Sequence, residues 1–362
     1  MFRDAIAVLT TMTLLFGIAA LTISPVEARS PSLRDLYSGP PETWPRPVLA
    51  EGAVFTEFGV LPPVVHPPDN QASPAKVALG ESLFNERRLS GSGQLACASC
   101  HSPELGFGDG LQTSFGHDRQ RGTRNAQPLF VVGWMTSLFW DGRSSTLEEQ
   151  AAAPLAHPME MAARPEMIEA RLNADPEYRQ AFEAAFGPGR ITIARVQQAL
   201  ATFERSLRPR RTKYDRALRQ GAEVLSDEEL LGLHLFRTKA GCASCHNGPL
   251  LSDQRFHNLG LTFYGRARQD LGRYDVTRRP ADVGAFRTPS LRNIRRTGPY
   301  MHNGLLPDLD GVVNFYNGGA ARPRPRPAQA DDPLFPVTSP MLKPLGLTPS
   351  EREALMAFLE TL

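Results

Sequence analysis

The sequence predicts a mainly α-helical protein made of two tandem units of the same plan, preceded by a proline-rich arm. Three observations predict it. The pentapeptide Cys-x-x-Cys-His occurs at Cys97–Cys100–His101 and again at Cys242–Cys245–His246, and the two copies use all four cysteines of the 362-residue chain. A segment with helical apolar spacing precedes each copy, ALGESLFNERR before the first and LLGLHLFRT before the second. A further helical run stands near the end of each half, and no strand-rich region interrupts the pattern. In Cys-x-x-Cys-His each thiol adds to a haem vinyl group and the histidine becomes an axial iron ligand, so the motifs imply two covalently bound haem c groups. A helix before the motif and one near the domain end is the plan of a cytochrome c-like domain.

Other uses of paired cysteines fit less well. The pairs of a zinc ribbon lie about 15–20 residues apart, far closer than these two. A thioredoxin-like pair expects one motif in a βαβ setting, and no β-branched run flanks either copy. Cysteines two apart within one motif rarely serve as a structural disulfide.

The elements follow in order. Residues 1–28 read as an export signal, with Arg3 in a thin basic region, an apolar stretch Ala5–Ile23 and a small-residue cleavage site ending at Ala28. The stretch is also just long enough for an uncleaved anchor. Export agrees with haem attachment, which in bacteria takes place outside the cytoplasm, and predicts a soluble periplasmic protein. Residues 29–73 are rich in proline and predict an extended arm laid on the surface. The first haem domain is expected over 74–215, opening with a helix from Pro74 to Leu89. Ser145-Thr-Leu-Glu148 reads as a capping box opening a helix. Asp175-Pro176 places an N-cap before a proline at the first helical position of a run to Phe186. Thr192–Leu207 is a long amphipathic helix. The second domain, 216–362, begins with a capping box at Ser226–Glu229 and closes with another at Thr348–Glu351.

A hydrophobic content of 41% supports real cores, and a formal charge of only +2 argues against nucleic acid as a partner. The basic run Arg205–Arg219 reads either as a dock for an acidic partner or as the solvated side of a helix and its loop. Each motif supplies one axial ligand. The second comes from among His66, His117, His157, His234, His257, His302 and nine methionines, and spacing does not choose between them. A methionine or histidine there makes an electron-transfer haem, whereas a vacant or displaceable position makes a peroxidase haem.

From Pro74 onward the chain resembles the bacterial dihaem cytochrome c peroxidase family, which includes the MauG proteins. The segments ALGESLFNERRLSGSGQLACASCH, SFGHDRQRGTRN, LFWDGRSSTLEEQAAAPLAHPMEM, GCASCHNGPLLSD and FRTPSLRNIRRTGPYMHNG carry the resemblance. It implies that His117, in a loop containing Gly106, Gly108, Gly110, Gly116 and Gly122, is a movable distal histidine of the first haem. It implies that Trp140 stands between the haems, and that Gln150, Pro154 and Glu160 line the peroxide pocket. Glu160 is then the group able to carry a proton between the peroxide oxygens. Asn125, with the backbone carbonyls of Thr297 and Pro299, matches the family's calcium site, a donor set suited to a hard cation.

One position departs from the peroxidase pattern. About four helical turns beyond the histidine of PYMHNG, where the peroxidases carry the methionine ligand of the second haem, this chain has Tyr316. MauG proteins have tyrosine there. A phenolate favours higher oxidation states of iron, where a thioether raises the potential for accepting electrons. The resemblance therefore implies a periplasmic peroxidase that reduces hydrogen peroxide with electrons from a small donor, a c-type cytochrome or a cupredoxin. The alternative is a MauG-like enzyme oxidising side chains of a partner protein, and a dihaem electron-transfer protein is the reading from another class. A homodimer is compatible with all three.

Overall fold

A computed structural model describes residues 31–362 together with Met1. Apart from Met1, the expected export segment lies outside the described residues. Among the described residues nine helices are eight residues or longer: α1 Pro74–Phe84, α2 Leu147–Ala156, α3 Pro165–Ala174, α4 Pro176–Phe186, α5 Ile193–Ser206, α6 Lys213–Gln220, α7 Asp227–Arg237, α8 Leu309–Asn317 and α9 Pro349–Leu359. The one sheet among them pairs two three-residue antiparallel strands, β1 Phe256–Asn258 and β2 Ala285–Arg287, with His257 opposite Phe286. No described helix is long and apolar enough to cross a membrane.

Most helix starts lie where local side-chain chemistry sets them. Asp175 accepts from the amides of Glu177 and Tyr178 at the start of α4. Capping boxes open α7 at Ser226–Glu229 and α9 at Thr348–Glu351, each satisfying two otherwise orphaned amides. The opening of α2 differs by one residue from expectation. Thr146, not Ser145, is the N-cap and accepts from the Glu149 amide, while the Glu149 carboxylate turns back to the Ser145 amide at 2.9 Å. The adjacent Ser-Thr pair offers two hydroxyls, and packing of Leu147 into the core selects the second.

Two hydrophobic clusters hold the chain together. The first runs from Leu79 to Phe203; the second takes Tyr214 to Leu362 together with Tyr37, Trp44 and Phe58. Both are built around the same helix crossing. In the first, α1 meets α5 at Gly80, where an added Cβ would stand 2.1 Å from the Ala199 carbonyl oxygen. In the second, α7 meets α9 at Gly232, where an added Cβ would stand 2.0 Å from the Ala354 carbonyl oxygen. One turn on, Phe84 packs on Phe203 at 5.2 Å between ring centroids, and Phe236 on Phe358 at 5.4 Å. The two halves thus repeat one packing solution.

Two expectations are corrected. A boundary between residues 215 and 216 falls inside α6, whose Tyr214 and Ala217 belong to the second cluster. The division between clusters lies instead in the extended stretch before Thr212. The proline-rich segment is not simply laid on the surface, because Tyr37, Trp44 and Phe58 are buried in the second cluster. Arg237 of α7, itself fully buried, donates to Glu57 at 2.6 and 3.0 Å and faces the rings of Trp44, Phe55 and Phe58. Further along, Asn70 bonds to Glu148 and to the Gln198 carbonyl of the first half. The segment straps both halves.

Substituting Gly80→Ala or Gly232→Ala forces a methyl into a backbone contact, so each variant is expected to lose about 1–3 kcal/mol in chemical denaturation. The exposed Ser82→Ala on α1 is expected to stay within about 0.5 kcal/mol of the parent. Equal stability of all three would contradict the crossing.

Candidate active site

Each Cys-x-x-Cys-His motif winds into one 3-10 turn, Cys97–Ser99 and Cys242–Ser244. The His101 amide donates to the Cys97 carbonyl at 3.0 Å, and the His246 amide to the Cys242 carbonyl at 2.8 Å. The imidazoles are tethered alike. Nδ1 of His101 lies 2.8 Å from the Phe107 carbonyl oxygen, and Nδ1 of His246 lies 3.0 Å from that of Leu251. A carbonyl oxygen only accepts, so Nδ1 carries the proton and Nε2 keeps its lone pair. Burial lowers both histidines from their ordinary pKa, which keeps them neutral. A neutral imidazole with Nδ1–H tied down is the form a metal ligand takes. None of the four cysteines is paired in a disulfide, and burial pushes the Cys97 and Cys242 thiols up to about 12. Two thiols and one bare Nε2, set out twice, fit two covalent haems.

Around the first motif the structure gathers several of the expected residues. The Glu160 carboxylate lies close enough to act electrostatically on both His101 and Cys100. The His117 amide donates to the Glu160 carbonyl at 2.8 Å, which couples the histidine loop to the glutamate loop. Asp118 and Arg119, next to His117, hold positive φ angles of 52° and 57°, a conformation costly for residues with a Cβ and one that a loop able to rearrange can release. The His117 Nδ1 is buried without a hydrogen-bond partner among the described residues. Gln150 and Pro154 stand one turn apart on α2, and the Pro154 carbonyl accepts from the Met161 amide at 3.2 Å, fixing the helix end to the Glu160 loop.

At the second motif, α8 brings Tyr316 beside the thiols of Cys242 and Cys245. Burial raises the phenol pKa, and those two cysteines raise it further. His257 and Asp253, 2.8 Å apart, also adjoin Cys245. These three form the one group of metal-ligating side chains found among the described residues. Haem attachment would consume its cysteine, so it does not make a separate metal site.

Trp140 lies at a contact between the two halves of the chain. Its indole donates to the Asn125 carbonyl at 2.9 Å and meets His302 edge-on at 6.5 Å, while its own carbonyl accepts from the Arg287 amide at 2.8 Å. Trp134, which reads as the core tryptophan of the pair, is the less buried one; its indole donates to the Pro62 carbonyl at 2.7 Å and holds the arm. Asn125 lends its amide nitrogen to the Leu111 carbonyl at 2.9 Å. Pro299 lines a surface groove with Gln112, the residue after Leu111. Sequence reasoning singled out neither Arg287 nor Glu204. Arg287 is buried on β2 and burial lowers it to about 10. Its guanidinium donates to Gln127 at 2.8 Å and more weakly to the carbonyls of Phe139 and Thr288, with no carboxylate in ion-pairing range among the described residues. Glu204 of α5 is buried near Cys97, and burial raises it to about 8. Both lie on faces that apolar periodicity reads as core; only packing shows them to be buried polar groups, Glu204 beside the first motif.

A helical chain with two tethered histidines, each beside two free thiols, defines a dihaem c-type redox protein. The comparisons sharpen this. Residues 74–223 match the family model of di-haem cytochrome c peroxidase. The chain is 39% identical to cytochrome-c peroxidase IdrP1 of Denitromonas iodatirespirans, over 86% of this chain and 88% of that one. It is 40% identical to the methylamine utilization protein MauG of Methylorubrum extorquens, over 83% and 81%. Among solved structures, a MauG-like protein associated with microbial copper homeostasis superposes with a TM-score of 0.75 at 35% identity, covering 83% of this chain and 93% of that one. The chain belongs to the di-haem cytochrome c peroxidase family. It is a peroxidase, an oxidoreductase with two haem cofactors that takes hydrogen peroxide as substrate and a redox partner or protein substrate as its second reactant.

If burial without a partner raises Glu204, its ionisation in the unfolded chain opposes folding once the pH passes the ordinary carboxylate value. That penalty grows until the pH reaches about 8, the folded-state value. Glu204→Gln is therefore expected to raise Tm more at pH 8 than at pH 4, measured by calorimetry on the holoprotein. A gain independent of pH would count against a buried, neutral Glu204.

Proposed function

We propose that peroxide is reduced at the His101 site and that reducing equivalents enter at the His246 site from a small periplasmic electron donor, a c-type cytochrome or a cupredoxin. The observation that carries this division is the unequal surroundings of two equally built motifs. When bound, the haems supply the redox chemistry, with cleavage of the peroxide bond at the first and holding of oxidising equivalents at the second. The residues supply the rest. Glu160 takes a proton from the inner peroxide oxygen and returns it to the outer one, so that H2O2, two electrons and two protons leave as two waters. Gln150 offers the peroxide a hydrogen bond. His117, on its strained loop, closes or opens the distal position. Trp140 bridges the segments that carry the two motifs, and Arg287 is the cation able to meet anionic haem carboxylates there.

Tyr316 favours a second reading, in which the substrate is a protein side chain. A phenolate ligand stabilises oxidised iron, so the second site holds oxidising equivalents better than it accepts electrons. Asn125, with the carbonyls of Thr297 and Pro299, would hold a calcium ion; the Asn125 side-chain nitrogen already donates to the Leu111 carbonyl, which turns its oxygen into the available ligand atom. The N-terminal stretch that reads as an export signal supports a periplasmic enzyme whose mature chain starts near Arg29.

Glu160→Gln is expected to lower kcat/KM for peroxide by about 100-fold with haem content intact; a change below threefold would remove Glu160 from proton transfer. Tyr316→Phe is expected to change the absorption and magnetic resonance spectra of the second haem, and identical spectra would show that the phenol is not a ligand. Steady turnover with a reduced cytochrome supports the peroxidase route, and a long-lived oxidised state quenched only by one protein supports the other. Chelation by EGTA is expected to remove activity that added calcium restores. Retention of full activity in calcium-free protein would argue against the ion.

A further inference from the structure

Two arginine-bearing segments, far apart in sequence, meet on one surface of the second half. The first carries Arg266 and Arg268, and the second carries Arg322, Arg324 and Arg326; all five are exposed. Their meeting is built. The Tyr264 hydroxyl donates to Asp332 at 2.6 Å, the Tyr264 ring meets Phe335 edge-on at 5.7 Å, and Arg326 donates to the Gly265 carbonyl at 2.9 Å. None of the five arginines forms an ion pair among the described residues. Asp270 is paired with Arg124 at 2.7 Å, which leaves Asp331 and Asp332, the latter an anion accepting from Tyr264, against five guanidiniums. Since the whole chain carries only +2, this positive field is local.

Its position ties it to the second haem site. The Ala321 amide, adjacent to Arg322, donates to the Leu259 carbonyl at 3.2 Å, and the Ser339 amide donates to the Asn258 carbonyl at 2.9 Å. These residues continue β1, whose His257 adjoins Cys245 of the second motif. From His257 to Leu259 is two residues, about 7 Å of extended chain. The other basic run is organised differently. In Arg205–Arg219, Arg205 is buried in a bidentate pair with Glu148, at 2.6 and 2.8 Å, and Arg208 covers Trp134. Those two arginines are committed to the first half, whereas Arg210, Arg211, Arg216 and Arg219 of the same run are exposed and form no ion pair among the described residues, and no contact ties them to β1.

We propose that the surface formed by Arg266, Arg268, Arg322, Arg324 and Arg326 docks the acidic face of the redox protein that exchanges electrons with the second haem. This rests on the peroxidase route above. Two molecules of reduced donor each lose one electron there, and one H2O2 with two protons becomes two waters. Exposed arginines of one sign speed the encounter and select partners by charge, so the surface selects an acidic donor over a basic one.

The test uses the intact holoprotein with two reduced probes, acidic plastocyanin and basic mitochondrial cytochrome c, each rate being normalised to that with a neutral small-molecule reductant. The normalised kcat/KM for plastocyanin is expected to fall about tenfold as salt rises from about 10 mM to about 300 mM, where the Debye length shrinks from about 30 Å to below 8 Å. The variant R266E/R268E/R324E is expected to lower the value at low salt by about tenfold and to reverse the salt slope. An unchanged slope in the variant, or a preference for the basic cytochrome, overturns the proposal. Calorimetric binding of plastocyanin to the oxidised protein reads docking without turnover. Salt-dependent binding lost in the variant therefore upholds the surface even if peroxide turnover with protein donors is absent and the peroxidase route fails. Retention on phosphatidylglycerol vesicles, lost in the variant and accompanied by no plastocyanin binding, would assign the surface to anionic lipid instead and overturn the docking of a protein.

Discussion

Two glycines, Gly80 and Gly232, let helices touch backbone to backbone, and the placement of both haem motifs depends on that contact. At each crossing the space a methyl would need is occupied by a carbonyl oxygen, of Ala199 in one half and Ala354 in the other. A phenylalanine four residues past each glycine then meets one four residues past each alanine. The pinned helix feeds the motif turn, from Phe84 to Cys97 in the first half and from Arg237 to Cys242 in the second. With the approach of the chain set in this way, the histidine of each turn reaches a carbonyl and is left with a bare Nε2. Close packing converts a small repeated sequence feature into two equivalent metal-ligand geometries.

On equal frames the sites become unequal through what the rest of the chain brings to them. The first receives a carboxylate, Glu160, and a strained loop carrying His117, both on irregular segments. The second receives Tyr316 from a regular helix and the His257–Asp253 pair from a strand and its neighbouring loop. Irregular segments open to admit a substrate more readily than a packed helix, which holds its side chains in place. Trp140 and Arg287, one from each half, are joined by a backbone hydrogen bond from the Arg287 amide to the Trp140 carbonyl.

The strap completes the scaffold. Arg237 is a fully buried charge, stable only because Glu57 and three aromatic rings of the strap surround it. Removing one partner of such a pair leaves a charge without compensation, a loss of about 3–5 kcal/mol. Arg292 acts alike, reaching Asp215, the Pro249 carbonyl behind the second motif and the Gly59 carbonyl of the strap. Proline suits this role because a pre-extended chain loses less entropy when it is laid down. Proline content alone, however, does not distinguish a strap from a loose arm.

What the sequence determined by itself was local. The two haem motifs, the caps of α4, α7 and α9, and the identity of Tyr316 all rest on groups within a few residues of one another, where covalent spacing and i to i+3 hydrogen bonds leave few alternatives. Even there the Ser145-Thr146 pair offered two caps of equal local merit, and the burial of Leu147 chose between them. Tertiary structure decided what depends on distant partners. It buried Tyr37, Trp44 and Phe58 of a segment that reads as surface, and it buried Arg287 without a carboxylate partner among the described residues. It also drew the arginines of two separate loops onto one face. The physical reason is the same in each case: the cost of burying or exposing a charge or a ring is set by the groups packed around it, and those are chosen by the fold of the whole chain.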